Sequence, residues 1–179
     1  MSSAMPSLER SIQKHALPPD ALLRKYVHEG AYTDCFATQV HRQVSFAEYV
    51  EAFYTTGVFK LERWILAWSV GKPSSDADAR GLALGELGAF SAWSVEGRES
   101  DQMLMCDFIE RTRSWLMVAP LPGGAGTRLY FGSAVVPVRD RSGALQLGSA
   151  YASLMGFHEL YSRILLRAAS SRLERLAHR

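Results

Sequence analysis

The sequence predicts an α+β fold, in which an antiparallel meander sheet packs around a long C-terminal helix and a helix pair follows the first strand. Between residues 90 and 138, apolar residues recur with the period of two that is typical of strands. From about residue 145 they recur at i, i+3, i+4 and i+7, which is the pattern of a helix with one buried face. Because the connections between the predicted strands are short, consecutive strands must pair as antiparallel neighbours.

Local signals place the elements in chain order. Residues 1–19 form a flexible polar lead-in, and residues 20–179 form one domain. Ser45, with Glu48 three residues later, is a capping box, so a helix begins there. The predicted elements are a short helix over 21–27, a strand over 32–40, helices over 45–54 and 58–69, a short helix that ends at 84, four strands over 90–96, 102–109, 112–119 and 127–138, and the final helix from about 145 to 176.

Composition excludes several classes of protein. With 179 residues, 47% of them hydrophobic and 21% charged, the chain is one globular domain. A formal net charge of +2 gives no field that would attract nucleic acid, and no apolar run approaches the roughly 20 residues of a membrane span. The first ten residues lack the apolar core of a signal peptide, and Cys35 and Cys106 suit reduced, buried thiols. We therefore expect a cytoplasmic protein.

Several short segments carry a resemblance that goes beyond the element order. They are Tyr32-Thr33-Asp34, the run from Ser45 to Tyr54, Phe59 to Arg63, Arg113-Ser114-Trp115-Leu116, Gly126 to Leu129, and Gly156-Phe157-His158 with Leu160 and Tyr161. Over about residues 20–170 the chain resembles a bacterial family of uncharacterised domains, which is also found fused to NmrA-like NAD(P)-binding domains. The element order resembles the helix-grip fold of the START-like (SRPBCC) superfamily.

The resemblance to the START-like superfamily implies a cavity between the sheet and the C-terminal helix. Its members mostly bind lipids, hormones or polyketides, and a few are cyclases or hydrolases. The five strands predicted here are fewer than the six or seven that are usual for the fold.

Aromatic residues in the predicted strands are the candidate walls of that cavity. Trp93 and Trp115 lie in the middle of strands, and Tyr130 lies in the last one. Rings that line a cavity stack on a flat apolar ligand. The alternative is ordinary core packing, which we expect for Trp64 and Trp68.

His158 shares one face of the final helix with Leu154, Tyr161 and Leu165, and this face is expected to turn toward the sheet. His158 is therefore a candidate general base or polar ligand contact, and Tyr161 a candidate ligand contact beside it. The alternative is a core histidine that is hydrogen-bonded within the protein, for example to Tyr130 or Ser133. No other residue is assigned a catalytic role.

Arg113 is a candidate for holding a ligand carboxylate, because a guanidinium group binds carboxylates in a bidentate manner. The alternatives are a buried pair with Asp107 and a solvated outer face. The sequence contains no phosphate-binding loop, dinucleotide-binding glycine motif, nucleophile elbow or paired metal ligands at helical spacing. We therefore predict neither a metal ion nor a cofactor.

Three functions fit these observations. The first is binding of a small, largely apolar molecule between the sheet and the final helix. The second is an enzyme, such as a cyclase or hydrolase, that acts on a polyketide-like or other apolar substrate in the same cavity. The third is a partner-binding domain for an NAD(P)-dependent enzyme. The sequence leaves open whether the chain forms a homodimer and whether it turns a substrate over.

Overall fold

The computed structural model describes residues 11–61, 63, 71, 73–139, 145–146 and 151–176, and the side chains of all of these except 138–139, 145–146 and 151–158. The fold is α+β, with a seven-stranded antiparallel sheet and a C-terminal helix. The strands are β1 (Gln13–Lys14), β2 (Tyr32–Val40), β3 (Ala89–Phe90), β4 (Trp93–Arg98), β5 (Gln102–Asp107), β6 (Thr112–Pro120), β7 (Thr127–Val135), β8 (Val138–Arg139) and β9 (Leu145–Gln146). The helices are α1 (Arg24–His28), α2 (Phe46–Tyr54), α3 (Asp76–Leu84) and α4 (Tyr151–Leu176). Residues 57–61 and 63 are helical as well.

The main sheet has the order β1-β2-β7-β6-β5-β4-β3, and every neighbouring pair in it is antiparallel. The predicted meander of four consecutive strands is confirmed as β4 to β7. The first predicted strand is confirmed as β2, which pairs along its whole length with β7. Helix α4 packs against β2, β7 and α2, so the final helix lies on the sheet as expected.

The number of strands differs from the prediction of five. Within the predicted lead-in, Gln13–Lys14 forms β1 on the edge of β2, so this part of the lead-in belongs to the sheet. The predicted strand over 90–96 is divided into β3 and β4, because Ser91 has a positive φ of 54° and turns the chain between them. A strand of two polar residues carries no alternating pattern, so β1 is not visible in the sequence.

The beginning of the final helix also differs. Leu145–Gln146 forms a strand that pairs with Val138–Arg139, so helix α4 begins at Tyr151 rather than near residue 145. The helix continues through Gly156, although glycine costs about 1 kcal/mol in a helix interior. Its C-terminal half packs into the core through Leu165, Leu166 and Leu173, and this packing offsets the cost.

Capping boxes fix the starts of two helices that lie beside the sheet. The predicted box is confirmed: Ser45 Oγ accepts from the Glu48 amide at 3.2 Å, and Glu48 Oε2 accepts from the Ser45 amide at 2.8 Å. Ser75 and Asp78 form a second box at the start of α3. Each box satisfies two amides that the first helical turn leaves unpaired.

The two faces of the sheet carry separate cores. We call the face that α2 and α4 cover the helix side; it buries Phe36, Leu116 and Phe131. We call the other face, which is covered by the segment over residues 17–31, the N-terminal side; it buries Trp115 and Tyr130. In the part of the chain that the structure describes, no helix has the length and hydrophobicity that crossing a membrane requires.

Candidate functional site

A partly enclosed cavity of about 200 Å³ lies on the helix side of the sheet. It is bounded by strands β4, β6 and β7, by α2 and the helical segment after it, and by α4. This is the position that the predicted fold indicates for a cavity. The described residues that line it are Phe53, Tyr54, Phe59, Trp93, Thr112, Arg113, Ser114, Phe131, Ser133, Tyr161 and Leu165.

Aromatic rings form most of the cavity wall. Phe53 of α2 packs on Phe131 of β7 with ring centroids 5.0 Å apart, and its centroid is 5.9 Å from that of Phe59. Trp93 of β4 and Leu165 of α4 complete the apolar lining. Such a wall favours a flat or compact apolar molecule, because aromatic side chains offer large apolar surfaces with preferred stacking geometries.

Three polar residues lie side by side beneath this wall. Ser114 of β6 pairs with Ser133 of β7, and Ser133 pairs with Asp34 of β2. Directly paired residues share one face of a sheet, so all three are on the helix side. The Oδ1 atom of Asp34 accepts hydrogen bonds from the Ser133 amide at 3.0 Å and from the Ser133 hydroxyl at 2.6 Å. The carboxylate therefore fixes the orientation of a hydroxyl group that lines the cavity.

A second hydroxyl group on the cavity lining is held in the same way. Thr112 lies two residues before Ser114, and its Oγ1 donates to Asp107 Oδ2 at 2.9 Å. Asp107 Oδ1 also accepts from the amides of Arg111 and Thr112, which closes the β5–β6 turn. The predicted pair of Asp107 with Arg113 is not among these contacts: Asp107 bonds to the turn instead.

Arg113 borders the cavity, but its guanidinium group is bound on the N-terminal side. Its Nε lies 2.6 Å from Tyr26 Oη and 2.5 Å from Glu96 Oε2, and Lys25 also pairs with Glu96. Burial lowers the pKa of Arg113, but the hydrogen bonds to Tyr26 and Glu96 raise it more, so the net shift is upward. Burial likewise raises the pKa of Glu96, yet the bonds from Lys25, Tyr26 and Arg113 bring it below its usual value. The cluster is thus a satisfied ion-pair network.

The other residues that were predicted to bind a ligand lie on different faces of the sheet. Trp93 and Tyr161 line the cavity. The expectation that Trp115 lines it is wrong, and Tyr130 is away from it too: both are buried on the N-terminal side, where the Trp115 indole donates to Gln102 Oε1 at 2.9 Å. Both lie one residue from helix-side positions, and adjacent strand residues point to opposite faces. The side chain of His158 lies outside the described residues, as do Trp64 and Trp68.

Sequence reasoning missed most of the lining. Phe53, Phe59 and Ser114 lie in segments that carry the family resemblance, but nothing in the sequence pattern marks them as the lining of a cavity. One signal was available. Asp34 and Ser133 are polar residues next to the apolar runs of their strands, and a polar residue in a buried strand must find a partner. Aligning β2 with β7 would have placed the two together.

The two cysteines offer no reactive thiol. Both are free and buried, in agreement with the sequence. Burial, followed by the nearby charge of Asp34, raises the pKa of Cys35 to about 12, so its thiol stays protonated at neutral pH. Among the described residues, no three His, Cys, Asp or Glu side chains are grouped so that they could hold a metal ion.

Comparison with known proteins yields similarity to uncharacterised structures. No family model matches the chain, and no curated protein matches it. An uncharacterised protein from Rhizobium leguminosarum is 14% identical, with a TM-score of 0.32, and the match covers 81% of this chain and 97% of that one. The C-terminal domain of a protein from Deinococcus radiodurans is 15% identical, with a TM-score of 0.30, and the match covers 78% and 94%. Neither TM-score reaches 0.5, so we draw no conclusion from them.

Proposed function

We propose that this protein binds a small, largely apolar molecule in the cavity on the helix side of the sheet. The observation that carries the proposal is the aromatic wall of Phe53, Phe59, Trp93 and Phe131 around about 200 Å³ of space. An apolar cavity of about 150 Å³ is enough to hold benzene, so this one suits a molecule of one or two rings.

We also propose that the arrangement is a helix-grip fold of the START-like kind. The support is the order of the elements, the seven antiparallel strands and the position of α4 against β2 and β7. Membership of the uncharacterised bacterial family and a cytoplasmic location remain predictions of the sequence. Substrate turnover and binding to an NAD(P)-dependent enzyme remain the alternatives to ligand binding, and the sequence leaves a homodimer open.

A direct test is to fill the cavity. Ser114 lines it, and replacing Ser114 with leucine places an apolar side chain in the space without removing a hydrogen bond within the described residues. Ser94 is an exposed strand serine on the neighbouring β4, and Ser94→Leu is the matched control. Native mass spectrometry of each protein, purified from its own host, measures retained small molecules. We expect a ligand in the wild type and in Ser94→Leu, and none in Ser114→Leu.

Retention of the ligand by Ser114→Leu would contradict the proposal. If Ser114→Leu retains the same ligand in the same amount as the wild type, the molecule is bound elsewhere and the cavity is not its site. A titration with toluene, followed through the amide chemical shifts of β6 and β7, gives an independent measure. Toluene should shift these amides in the wild type and in Ser94→Leu, and not in Ser114→Leu.

A further inference from the structure

The hydroxyl groups on the cavity lining have a fixed polarity. The hydroxyl of Ser133 donates its hydrogen to Asp34, and that of Thr112 donates to Asp107. In both bonds the hydroxyl is the donor, so its hydrogen points toward the carboxylate and away from the cavity. Toward a ligand, the oxygens of Ser133 and Thr112 can therefore act only as acceptors.

Ser114 complements this pair of acceptors. It lies directly opposite Ser133 in the β6–β7 pairing, and its hydroxyl has no hydrogen-bond partner among the described residues. Side chains that face each other across two strands have Cβ atoms about 4.5–5.5 Å apart, so one ligand atom can reach both. Ser114 can donate to an atom that itself donates to Ser133. A neutral hydroxyl group has both capacities.

The charges around the lining disfavour an anion. The carboxylates of Asp34 and Asp107 each lie one hydroxyl group away from the cavity. Arg113 is the one cation among the described lining residues, and its guanidinium is paired with Glu96. A ligand carboxylate or phosphate would therefore find no unpaired cation among the described lining residues.

From these contacts we propose that the ligand is a compact ring compound that carries a neutral hydroxyl group, of the phenol or cyclic alcohol class. The inference rests on the proposed function and specifies its ligand. The ring lies against the aromatic wall, and the hydroxyl group donates to Ser133 or Thr112 and accepts from Ser114. Anionic compounds of the same shape are disfavoured.

Four probes of similar size separate these features. Toluene supplies the ring alone, 4-methylphenol adds the neutral hydroxyl, 4-methylanisole blocks its hydrogen, and 4-methylbenzoate replaces it with an anion. Amide chemical shifts of β6 and β7 report the affinity. We expect 4-methylphenol to bind about tenfold more tightly than toluene or 4-methylanisole, as one net hydrogen bond allows, and 4-methylbenzoate not to bind.

Variants test which hydroxyl groups are responsible. Ser114→Ala removes a hydroxyl with no described protein partner, so the fold should be unaffected; 4-methylphenol should bind several-fold more weakly and toluene unchanged. Ser133→Ala should weaken 4-methylphenol binding as well, and because it also removes the 2.6 Å hydrogen bond to Asp34, its free energy of unfolding should fall. Ser94→Ala, outside the cavity, should change neither affinity.

The outcomes distinguish the inference from the function on which it rests. Equal affinities for toluene and 4-methylphenol, or tightest binding of 4-methylbenzoate, overturn the inference and leave apolar binding standing. Failure of all four probes to bind overturns the proposed function, and the inference with it. Loss of 4-methylphenol and toluene binding together in Ser114→Ala would also overturn the assignment of the hydroxyl.

Discussion

Two tryptophans show how differently the two faces of the sheet are built. On the N-terminal side, Trp115 has no exposed surface, and its indole nitrogen bonds to Gln102. On the helix side, Trp93 is half-buried and borders the cavity. The N-terminal segment follows the sheet closely enough to fill its face, whereas the helices leave a space between them and the strands. Among the described residues, the cavity beside Trp93 therefore gives the helix side room for a ligand.

The faces also differ in how fully their polar groups are paired. The Gln102 side chain, which is completely buried, accepts from Leu22 and Trp115 and donates to Asp20 and Glu99. On the helix side, the buried hydroxyl of Ser162 has no hydrogen-bond partner among the described residues. Full pairing is typical of a structural core, and unpaired polar groups are typical of a surface that is completed by something else.

Truncating the two tryptophans should give the largest difference. Trp115→Ala should destabilise the protein by about 3–5 kcal/mol, because it empties a filled core and leaves Gln102 short of a donor. Trp93→Ala should cost well under half of that, since it only enlarges an existing space. Denaturant unfolding of both variants measures the two values.

The proposed difference between the two faces is wrong if Trp115→Ala and Trp93→Ala lower the free energy of unfolding by the same amount. Equal losses would mean that Trp93 is as tightly packed as Trp115 and that the helix side is no looser than its opposite. Toluene binding provides a second readout on the folded variants. Trp93→Ala should alter it, and a Trp115→Ala protein that remains folded should bind toluene like the wild type.

The same contrast explains what the sequence predicts and what it does not. The strand over 32–40 and the Ser45 box were predicted because each depends on local signals. The side of the sheet toward which Trp115 points could not be predicted, because its neighbour Leu116 is also apolar and both faces of β6 are buried. Where apolar and polar residues do not alternate along a strand, the sequence pattern does not indicate which face of the sheet borders the cavity.

Contacts between residues far apart in the chain are the other feature that the sequence does not predict. Asp34 and Ser133 are 99 residues apart, and only the register of β2 against β7 brings them together. The same holds for Ser114, which becomes part of a polar row only through its pairing with Ser133. The cavity is made by such registers and by helix packing, neither of which a local pattern encodes.

A backbone substitution tests the close packing of the N-terminal side. A Cβ atom at Gly132 would lie 2.8 Å from the Asp34 carbonyl oxygen and 3.0 Å from both Leu23 and Trp115. Gly132→Ala should therefore destabilise the protein by about 1–3 kcal/mol, the usual cost of overpacking. Gly57, in the helical segment after α2, has no atom within 4 Å of its added Cβ and serves as the control. Gly57→Ala should be neutral or stabilising in the same unfolding assay.

The ion-pair network around Glu96 gives a smaller, pH-dependent effect. Its pKa is below the ordinary 4.5 in the folded state, so folding favours the ionised form. This contribution, about 1 kcal/mol for a partly exposed pair, is complete above pH 4.5 and is lost as the pH falls through the folded-state pKa. We expect the wild-type Tm to fall more steeply below pH 4.5 than that of Glu96→Gln. If the two curves of Tm against pH run parallel, the bonds of Glu96 to Lys25, Tyr26 and Arg113 contribute nothing to stability.

The smallest expected effect is an increase in the free energy of unfolding when Ser162, on the helix side, is replaced. Ser162 is completely buried in α4, and its hydroxyl has no hydrogen-bond partner within the described residues. A buried unsatisfied group is unfavourable, and alanine is a better helix former than serine, so Ser162→Ala should stabilise the protein by about 0.5–1 kcal/mol. Gln102→Ala, on the N-terminal side, should do the reverse, because it leaves the donors of Leu22 and Trp115 unpaired. If denaturant unfolding shows that Ser162→Ala loses stability, the hydroxyl is satisfied in solution, and the two faces do not differ in the pairing of their polar groups.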